Sequence, residues 1–379
     1  MARKIASHYA LINGTLERNI VVEVDDNRVI TNIIRTSALD AMAGVEFYPG
    51  ILIPGMINAH CHLELSYLHK QIEEGTGFAG FARAIGMVRN NFSDEERVRA
   101  SRVADAKMWD EGVEAVADIA NDELIMDVKD CSKIEYYTLF EHFGLNNRST
   151  KQLQQVASLY NNAYVTPHST YSVQDAPFKE IVALKTPLIS VHLLESDDES
   201  QLYQHQGSLW EWYERMGWEC DFLHYGSPAR RIVESIPQNS PILLVHATRA
   251  TEMDVTMIEE HTTQATWVLC PESNRYISNL KPDVAMFRRI GAKIAIGTDS
   301  LASARSLSMI DNLRQLGDIC EVPLTELLIW ATYNGAQTLG IEGTKGSIEV
   351  GKAPGLVIID GADLHNLRLT PESTTRRIL

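Results

Sequence analysis

The chain has 379 residues, of which 45% are apolar and 22% charged, a balance typical of a globular protein with a sizeable core, and this excludes disorder as its main state. Its 34 Lys and Arg against 50 Asp and Glu give a net charge of −16. Because nucleic acids and anionic membranes would be repelled by such a surface, we expect neither as the main partner.

We expect neither a targeting signal nor a structural pair of cysteines in this sequence. The first ten residues contain no uninterrupted apolar stretch, and nowhere do 18 apolar residues follow one another, so we predict a cytoplasmic protein without a membrane span. The five cysteines are widely spaced and form no Cys-x-x-Cys pair. This argues against both a disulfide framework and a cysteine-rich zinc site.

Both ends of the chain are rich in β-forming residues. Residues 20–24 and residues 356–360 each have the composition of a strand and are each followed by a turn signal. Since a different pattern occupies the middle, we predict one small β-sandwich domain built from residues 1–50 and 346–379. A second domain is predicted for residues 51–345.

In the middle of the chain, apolar segments alternate with longer segments of helical periodicity. One such helix is predicted to begin at Ser93, a good N-cap residue that is followed by three acids. The alternation indicates βα units around a parallel sheet, and eight strands are the number that closes an α/β fold of the (β/α)8 TIM barrel type. The eight predicted strands are residues 51–60, 115–119, 136–140, 163–168, 188–192, 242–246, 266–270 and 293–299.

Histidines and one aspartate occur where the predicted strands end. A single histidine at such a position is more often a hydrogen-bonded core residue than a ligand. Five of the 12 histidines and one carboxylate at the ends of five strands are better explained by an active site, because the carboxyl ends of barrel strands form the catalytic face. These residues are His60, His62, His168, His192, His246 and Asp299.

The spacing of these residues suggests a metal centre with a neighbouring acid. His60 and His62 can reach one ion, because residues i and i+2 of a strand point to the same side. Imidazole and carboxylate ligands suit zinc or ferrous iron, and an incomplete ligand set is typical of a catalytic site. Glu195, three residues after His192, can provide the acid and base catalysis that hydrolysis needs, although it could equally begin a surface cluster at residues 195–200.

Six motifs follow one another along the chain: PGMINAHCH at residues 54–62, PHSTY at 167–171, VHLLE at 191–195, VHAT at 245–248, CPESN at 270–274 and IGTDS at 296–300. Together with the tail at 331–340 and 346–354, they resemble the ordered signature of the amidohydrolase superfamily. The His192-x-x-Glu195 pattern is similar to its mononuclear deaminase and chlorohydrolase branch, which includes S-adenosylhomocysteine, guanine and aminodeoxyfutalosine deaminases. The third and fourth predicted strands also carry no lysine that could bridge two metal ions.

The resemblance implies a metal-dependent hydrolase that acts on a C–N bond and deaminates an aminopurine-like heterocycle. It implies a small-molecule substrate and one divalent metal ion, with zinc favoured over iron. It assigns the metal to His60, His62, His192 and Asp299, proton transfer to Glu195 and Asp299, contact with the attacking water or the intermediate to His246, and the substrate pocket to His168.

Two arginines and four other polar residues are further substrate-binding candidates. Arg89 lies in the region where adenosine-type deaminases carry a ribose-binding glutamate, so a different sugar contact is expected here. Arg305 would bring a charge to a segment in which the related deaminases carry a neutral contact. Four weaker candidates, for which a supporting or surface role is at least as compatible with the sequence, are Glu64, Asn274, Glu141 and His142.

Two alternatives stay open. The same metal site would serve a chlorohydrolase, an N-dealkylating enzyme or an amide hydrolase, because these reactions differ only in the pocket loops. A catalytically inactive barrel used as a binding module would be expected to lack ligands, whereas all six residues of the predicted site are present. The sequence is compatible with a homo-oligomer but does not establish one.

Overall fold

The computed structural model describes residues 3–39, 42–145 and 149–379. These parts of the chain contain fifteen strands. The strands are β1 (Arg3–Ile12), β2 (Thr15–Glu17), β3 (Ile20–Val24), β4 (Ile30–Arg35), β5 (Val45–Pro54), β6 (Met56–Cys61), β7 (Val113–Ala120), β8 (Glu135–His142), β9 (Ala163–Pro167), β10 (Ile189–Leu193), β11 (Ile242–His246), β12 (Ala265–Leu269), β13 (Ile294–Ile296), β14 (Leu356–Asp360) and β15 (Thr374–Arg377).

Helices fill most of the connections between the strands of the middle part. The predicted helix start at Ser93 is confirmed, because Ser93 and Glu96 form a capping box at the beginning of α2. The helices are α1 (Phe78–Val88), α2 (Asp94–Asp110), α3 (Met126–Asp130), α4 (Thr150–Ala157), α5 (Asp175–Ala183), α6 (Asp197–Leu202), α7 (Gly207–Met216), α8 (Pro228–Ser235), α9 (Glu252–His261), α10 (Pro271–Ser278), α11 (Val284–Ile290), α12 (Met309–Ile319), α13 (Leu324–Ala331) and α14 (Tyr333–Leu339), with 3₁₀ helices at Leu63–Leu68 and Leu223–Tyr225. None of the described helices combines the length and the apolar character needed to cross a membrane.

Strands from both ends of the chain form one seven-stranded sheet. Its order is β15-β14-β5-β1-β3-β4, with β2 paired to β1. Apolar residues of both ends, such as Ile5, Val22 and Ile358, pack in one buried cluster. The two ends of the chain therefore share a sheet and a core, while the two-layer sandwich stays a prediction because the seven strands are hydrogen-bonded as a single sheet.

The other eight strands form two parallel sheets, in the orders β6-β7-β8-β9 and β10-β11-β12-β13. Single parallel bridges connect the two sheets on both sides, one between Cys61 and Asp299 and the other between Ser169 and His192. The α/β fold with parallel strands is confirmed, and the last seven of the eight predicted strands correspond one to one with β7 to β13. The carboxyl ends of all eight strands are thereby brought together.

The first predicted strand, residues 51–60, is divided in the structure. Its beginning belongs to β5 in the terminal sheet and its end to β6, and the break is at Gly55. A Cβ atom at Gly55 would lie 2.1 Å from Cγ of Glu114 and 2.7 Å from the carbonyl oxygen of Pro354, so only glycine fits this close crossing. Gly55 thus lets the chain leave the terminal sheet and enter the parallel one.

Candidate active site

Six predicted residues meet at the carboxyl ends of the parallel strands. Nε2 of His60 lies 3.7 Å and Nε2 of His62 lies 3.5 Å from Oδ1 of Asp299. Nitrogen atoms of His60, His192 and His246 lie within 4.8 Å of one another, and the ring of His168 lies 4.6 Å from that of His192. The structure therefore brings the predicted metal ligands together.

The chain turns sharply where several of these residues leave their strands. Leu194, His246 and Asp299 have φ angles of 51°, 73° and 58°, in the left-handed region that non-glycine residues seldom adopt. Such backbone strain is concentrated at functional sites, where the surrounding structure maintains it. Here it occurs at the ends of β10, β11 and β13, where the side chains of the site are displayed.

One oxygen of the Asp299 carboxylate accepts hydrogen bonds from neighbouring side chains, and the other faces the histidines. Oδ2 accepts hydrogen bonds from Oγ of Ser273 at 2.5 Å and from Oγ of Ser303 at 2.7 Å. Although burial acts to raise it, the pKa of the Asp299 carboxyl lies well below its usual range, because His60 and His62 face this group. Asp299 is therefore an anion with Oδ1 directed at the two histidines.

The histidine nitrogens fit a divalent cation. Both ring nitrogens of His60 and Nδ1 of His62 are buried and have no hydrogen-bond partner among the described residues. Burial lowers the pKa of both rings, which favours the neutral form with a free lone pair. Nδ1 of His192 donates a hydrogen bond to the carbonyl oxygen of His168 at 2.7 Å, which leaves its Nε2 available as a ligand. Unpaired buried nitrogens beside an anionic carboxylate are the donor set that a metal ion would satisfy.

Glu195 and His246 lie next to this cluster. Oε1 of Glu195 is 3.8 Å from Nε2 of His246, and its Oε2 accepts a hydrogen bond from the hydroxyl group of Tyr171 at 3.3 Å. Burial and the nearby Asp299 charge raise the pKa of Glu195 to about 8, so it holds a proton at neutral pH. Burial lowers the pKa of His246 to about 4, and its Nδ1 lies 2.9 Å from Oδ1 of Asn274. Asn274 thus orients His246 and does not line the cavity.

A cavity of about 790 Å³ opens onto these residues. His62, His192, Glu195, His246 and Asp299 all contribute to its wall, so the polar cluster is accessible to a ligand. The rest of the wall is largely apolar and was not predicted from the sequence; its aromatic side chains include Phe78, Phe81, Phe143, Tyr171, Trp212 and Trp218.

Only some of the predicted substrate-binding residues line the cavity. His168 and Arg89 line the cavity. Arg305 does not: its guanidinium donates to both carboxylate oxygens of Glu74, at 2.6 and 2.9 Å, and its side chain borders a separate depression of about 470 Å³. The ion pair with Glu74 directs Arg305 away from the metal cluster, so the structure does not bring this residue to the site.

Glu64 and Glu141 both bind the side chain of Asn121. Glu64 is buried, accepts hydrogen bonds from the backbone nitrogen and from Nδ2 of Asn121 at 2.9 and 2.8 Å, and is absent from the cavity wall. Glu141 lines the cavity and accepts the second hydrogen bond of Asn121 Nδ2, at 2.7 Å. Glu64 is therefore connected to the cavity through Asn121. His142 is buried at the end of β8, and its carbonyl oxygen accepts a hydrogen bond from the backbone nitrogen of His168.

Comparison with known proteins gives matches along nearly the whole chain. The adenosine deaminase of Helicobacter pylori is 26% identical over 357 residues, which cover 89% of this chain and 84% of that protein. The crystal structure of Helicobacter pylori aminofutalosine deaminase with methylthio-coformycin superposes with a TM-score of 0.80 at 24% identity, covering 97% of this chain and 93% of that one. An adenosine deaminase from Xanthomonas campestris with bound zinc gives 0.74 at 20% identity, covering 96% and 85%.

A family model agrees with these matches and with the six motifs. The model of the amidohydrolase family matches residues 51–376, which include all the residues of the site. The prediction of a hydrolase that deaminates at a C–N bond is confirmed by the deaminases among the relatives. The chain therefore belongs to the amidohydrolase family, and its resemblance to the deaminases of that family is confirmed.

Proposed function

We propose that this chain is a zinc-dependent deaminase that replaces the exocyclic amine of a 6-aminopurine group with oxygen and releases ammonia. The observation that carries the proposal is the convergence of His60, His62 and Asp299 on one point, with Glu195 and His246 facing each other beside it. The zinc-bound relative from Xanthomonas campestris supports the choice of metal. We further propose that the two parallel sheets close a TIM barrel over residues 51–345, that residues 1–50 and 346–379 form a second domain, and that the protein is cytoplasmic.

The ligands of the zinc ion would be His60, His62, His192 and Asp299. When bound, zinc supplies the Lewis acidity that makes water a nucleophile at neutral pH. The charge of Asp299, fixed by the two serine hydroxyls, lets it accept a proton from the attacking water. His192 is held by its hydrogen bond to the backbone, which keeps Nε2 directed at the same point.

Glu195 and His246 would carry the proton transfers and contact the attacked carbon. The raised pKa of Glu195 lets it donate a proton to the ring nitrogen next to the attacked carbon. Glu195 then takes up the proton that the added hydroxyl loses as the C=O bond forms and passes it to the leaving amine. The proton that Asp299 accepted from water restores Glu195 to its starting state. The overall change is balanced: one water is consumed, the C–NH2 bond breaks, a C=O bond forms and one ammonia leaves. His246, fixed by Asn274, lies where it can contact the oxygen that is being added.

The shape of the cavity supports a purine with an additional substituent. Its volume of about 790 Å³ exceeds what a single heterocyclic base requires, and planar aromatic walls such as Phe143 and Trp212 suit stacking on a flat ring or packing on an apolar group. The structural relative from Helicobacter pylori was solved with a substituted nucleoside analogue, methylthio-coformycin. We therefore expect 6-aminopurine nucleosides with an apolar 5′ substituent to be preferred over free adenine.

The first prediction is that zinc-loaded protein releases ammonia from such nucleosides. A panel of adenine, adenosine, 5′-methylthioadenosine and 2-chloro-4,6-diaminotriazine would be assayed for ammonia and chloride. We expect kcat/KM for 5′-methylthioadenosine to exceed that for adenine by about 100-fold, because the apolar wall is filled only by the larger substrate. If the triazine released chloride and no compound of the panel released ammonia, the result would contradict the deaminase proposal and favour the chlorohydrolase.

The second prediction uses the two arginines as a matched pair. Arg89 lines the cavity, whereas Arg305 is paired with Glu74 outside it. Arg89→Ala is expected to raise KM about 10-fold at nearly constant kcat, since a contact made equally in the ground and transition states affects only binding. Arg305→Ala is expected to leave both constants within about twofold. Equal effects of the two substitutions would show that the assignment of Arg89 to the cavity is wrong.

A further inference from the structure

Glu199 is a buried carboxylate that none of the steps above uses. It lies in the first turn of α6, four residues after Glu195, and its side chain is fully buried. The acidic run at residues 195–200 favours a solvated surface by sequence alone, but Glu199 faces inward. Burial raises the pKa of Glu199 to about 8. A group that is costly to bury is expected to have a specific task or specific partners.

The partners of Glu199 lie on both sides of the proton-transfer residue. Its Oε2 accepts a hydrogen bond from the backbone nitrogen of Glu195 at 3.1 Å, and its Oε1 accepts one from the hydroxyl group of Thr170. Thr170 is adjacent to Tyr171, whose hydroxyl group contacts the carboxylate of Glu195. Glu199 thus connects the backbone of Glu195 to the same segment that holds the Glu195 side chain.

The backbone next to Glu195 is strained and needs a contact that holds it in place. Leu194, directly before Glu195, has a φ angle of 51°, so the turn that directs Glu195 toward His246 is strained. The segment around Thr170 is itself fixed, because the buried guanidinium of Arg231 donates to the carbonyl oxygens of Thr170 and Val173 at 2.7 and 2.8 Å. Thr170 is therefore a firm anchor for Glu199.

We propose that Glu199, anchored by Thr170, is a positioning residue that fixes the strained turn at Leu194 and thereby the orientation of Glu195. The inference rests on the proposed function, because it requires that Glu195 transfers the proton. Glu199 lies outside the cavity wall, so it acts only through Glu195. Its removal should affect turnover more than substrate binding.

The test is the Glu199→Met variant of the zinc-loaded protein, measured on the best substrate of the panel. Methionine has a similar length but neither carboxyl oxygen, so it removes the hydrogen bonds to Glu195 and to Thr170 together. We expect kcat to fall about 10- to 100-fold, as a misplaced catalytic group would cause. KM and the zinc content are expected to stay within about twofold, because neither the cavity wall nor the metal ligands change.

The double variant Glu195→Gln/Glu199→Met distinguishes positioning from a merely structural role. If Glu199 acts through Glu195, the double variant is as active as Glu195→Gln alone, since the second change removes support from a group that is already lost. Multiplied losses in the double variant would overturn the inference, and so would a Glu199→Met variant with wild-type kcat. Thr170→Val, which removes only the anchor, should reproduce part of the loss.

The control is Glu259→Met. Glu259 is a half-buried carboxylate that accepts a hydrogen bond from Nε1 of Trp267 at 2.7 Å and is absent from the cavity wall. Its variant should keep wild-type kcat and thereby show that loss of a half-buried carboxylate is not in itself inactivating. Failure of the proposed function has a different outcome, because the wild-type protein would then release no ammonia from any compound of the panel.

Discussion

Replacement of Asp299 by asparagine is expected to remove both the bound zinc and the activity. The anionic Oδ1 of Asp299 faces His60 and His62, and an amide oxygen cannot provide that charge. We expect kcat/KM to fall at least about 10³-fold, because water loses the metal-dependent activation on which hydrolysis depends. The zinc content of the purified variant, measured by elemental analysis, is expected to fall in parallel.

The matched control is Asp94→Asn. Asp94 is an exposed aspartate in the first turn of α2 and lies far along the chain from the metal ligands. This variant should retain zinc and activity at the wild-type level. An Asp299→Asn variant that binds one zinc ion per chain and turns over substrate normally would show that Asp299 is not a ligand.

The location of the site could be predicted because it depends on local patterns. A histidine such as His192 at the end of an apolar segment is visible in the sequence, and a parallel fold necessarily gathers the carboxyl ends of its strands at one edge. The strand positions followed from the same apolar runs. The first predicted strand is divided in the structure, because the crossing at Gly55 depends on Glu114 and Pro354, which are remote in sequence. The eighth, residues 293–299, was predicted too long, since β13 ends at Ile296.

The substrate-binding side of the site could not be predicted, because it depends on contacts between residues that are distant in the sequence. Helix α1 has an apolar face that resembles a core helix, yet none of its residues is buried and Phe78 and Phe81 face the cavity. The pairing of Arg305 with Glu74 joins residues 231 positions apart, so no local pattern indicates that it leaves the site. Contacts between distant loops decide specificity here, whereas strand ends decide the chemistry.

The orientation of Glu195 depends both on a local sequence pattern and on a contact between segments that are distant in the chain. Its position after His192 is a local motif, and Glu199 is only four residues away in α6, but Tyr171 comes from the segment after β9. A sequence motif therefore identified the acid, and the structure shows what holds it in place. A substitution at Glu195 tests the chemistry of the motif separately from the metal.

Replacement of Glu195 by glutamine is expected to abolish turnover while the zinc ion stays bound. Glutamine retains an oxygen that can accept the hydrogen bond of Tyr171, but it cannot give a proton to the ring nitrogen or to the leaving amine. We expect kcat to fall about 10²- to 10⁴-fold, the usual contribution of a general acid and base. Zinc content should equal that of the wild type, in contrast to Asp299→Asn.

Tyr171→Phe is the matched comparison for Glu195→Gln, because it removes only the hydrogen bond to the carboxylate. Its kcat should fall no more than about 10-fold, since the proton-transferring group itself remains. If Glu195→Gln lost its zinc, Glu195 would be a metal ligand and not the proton shuttle. Retained zinc with lost turnover, set beside the loss of both in Asp299→Asn, separates the group that transfers protons from the groups that hold the metal.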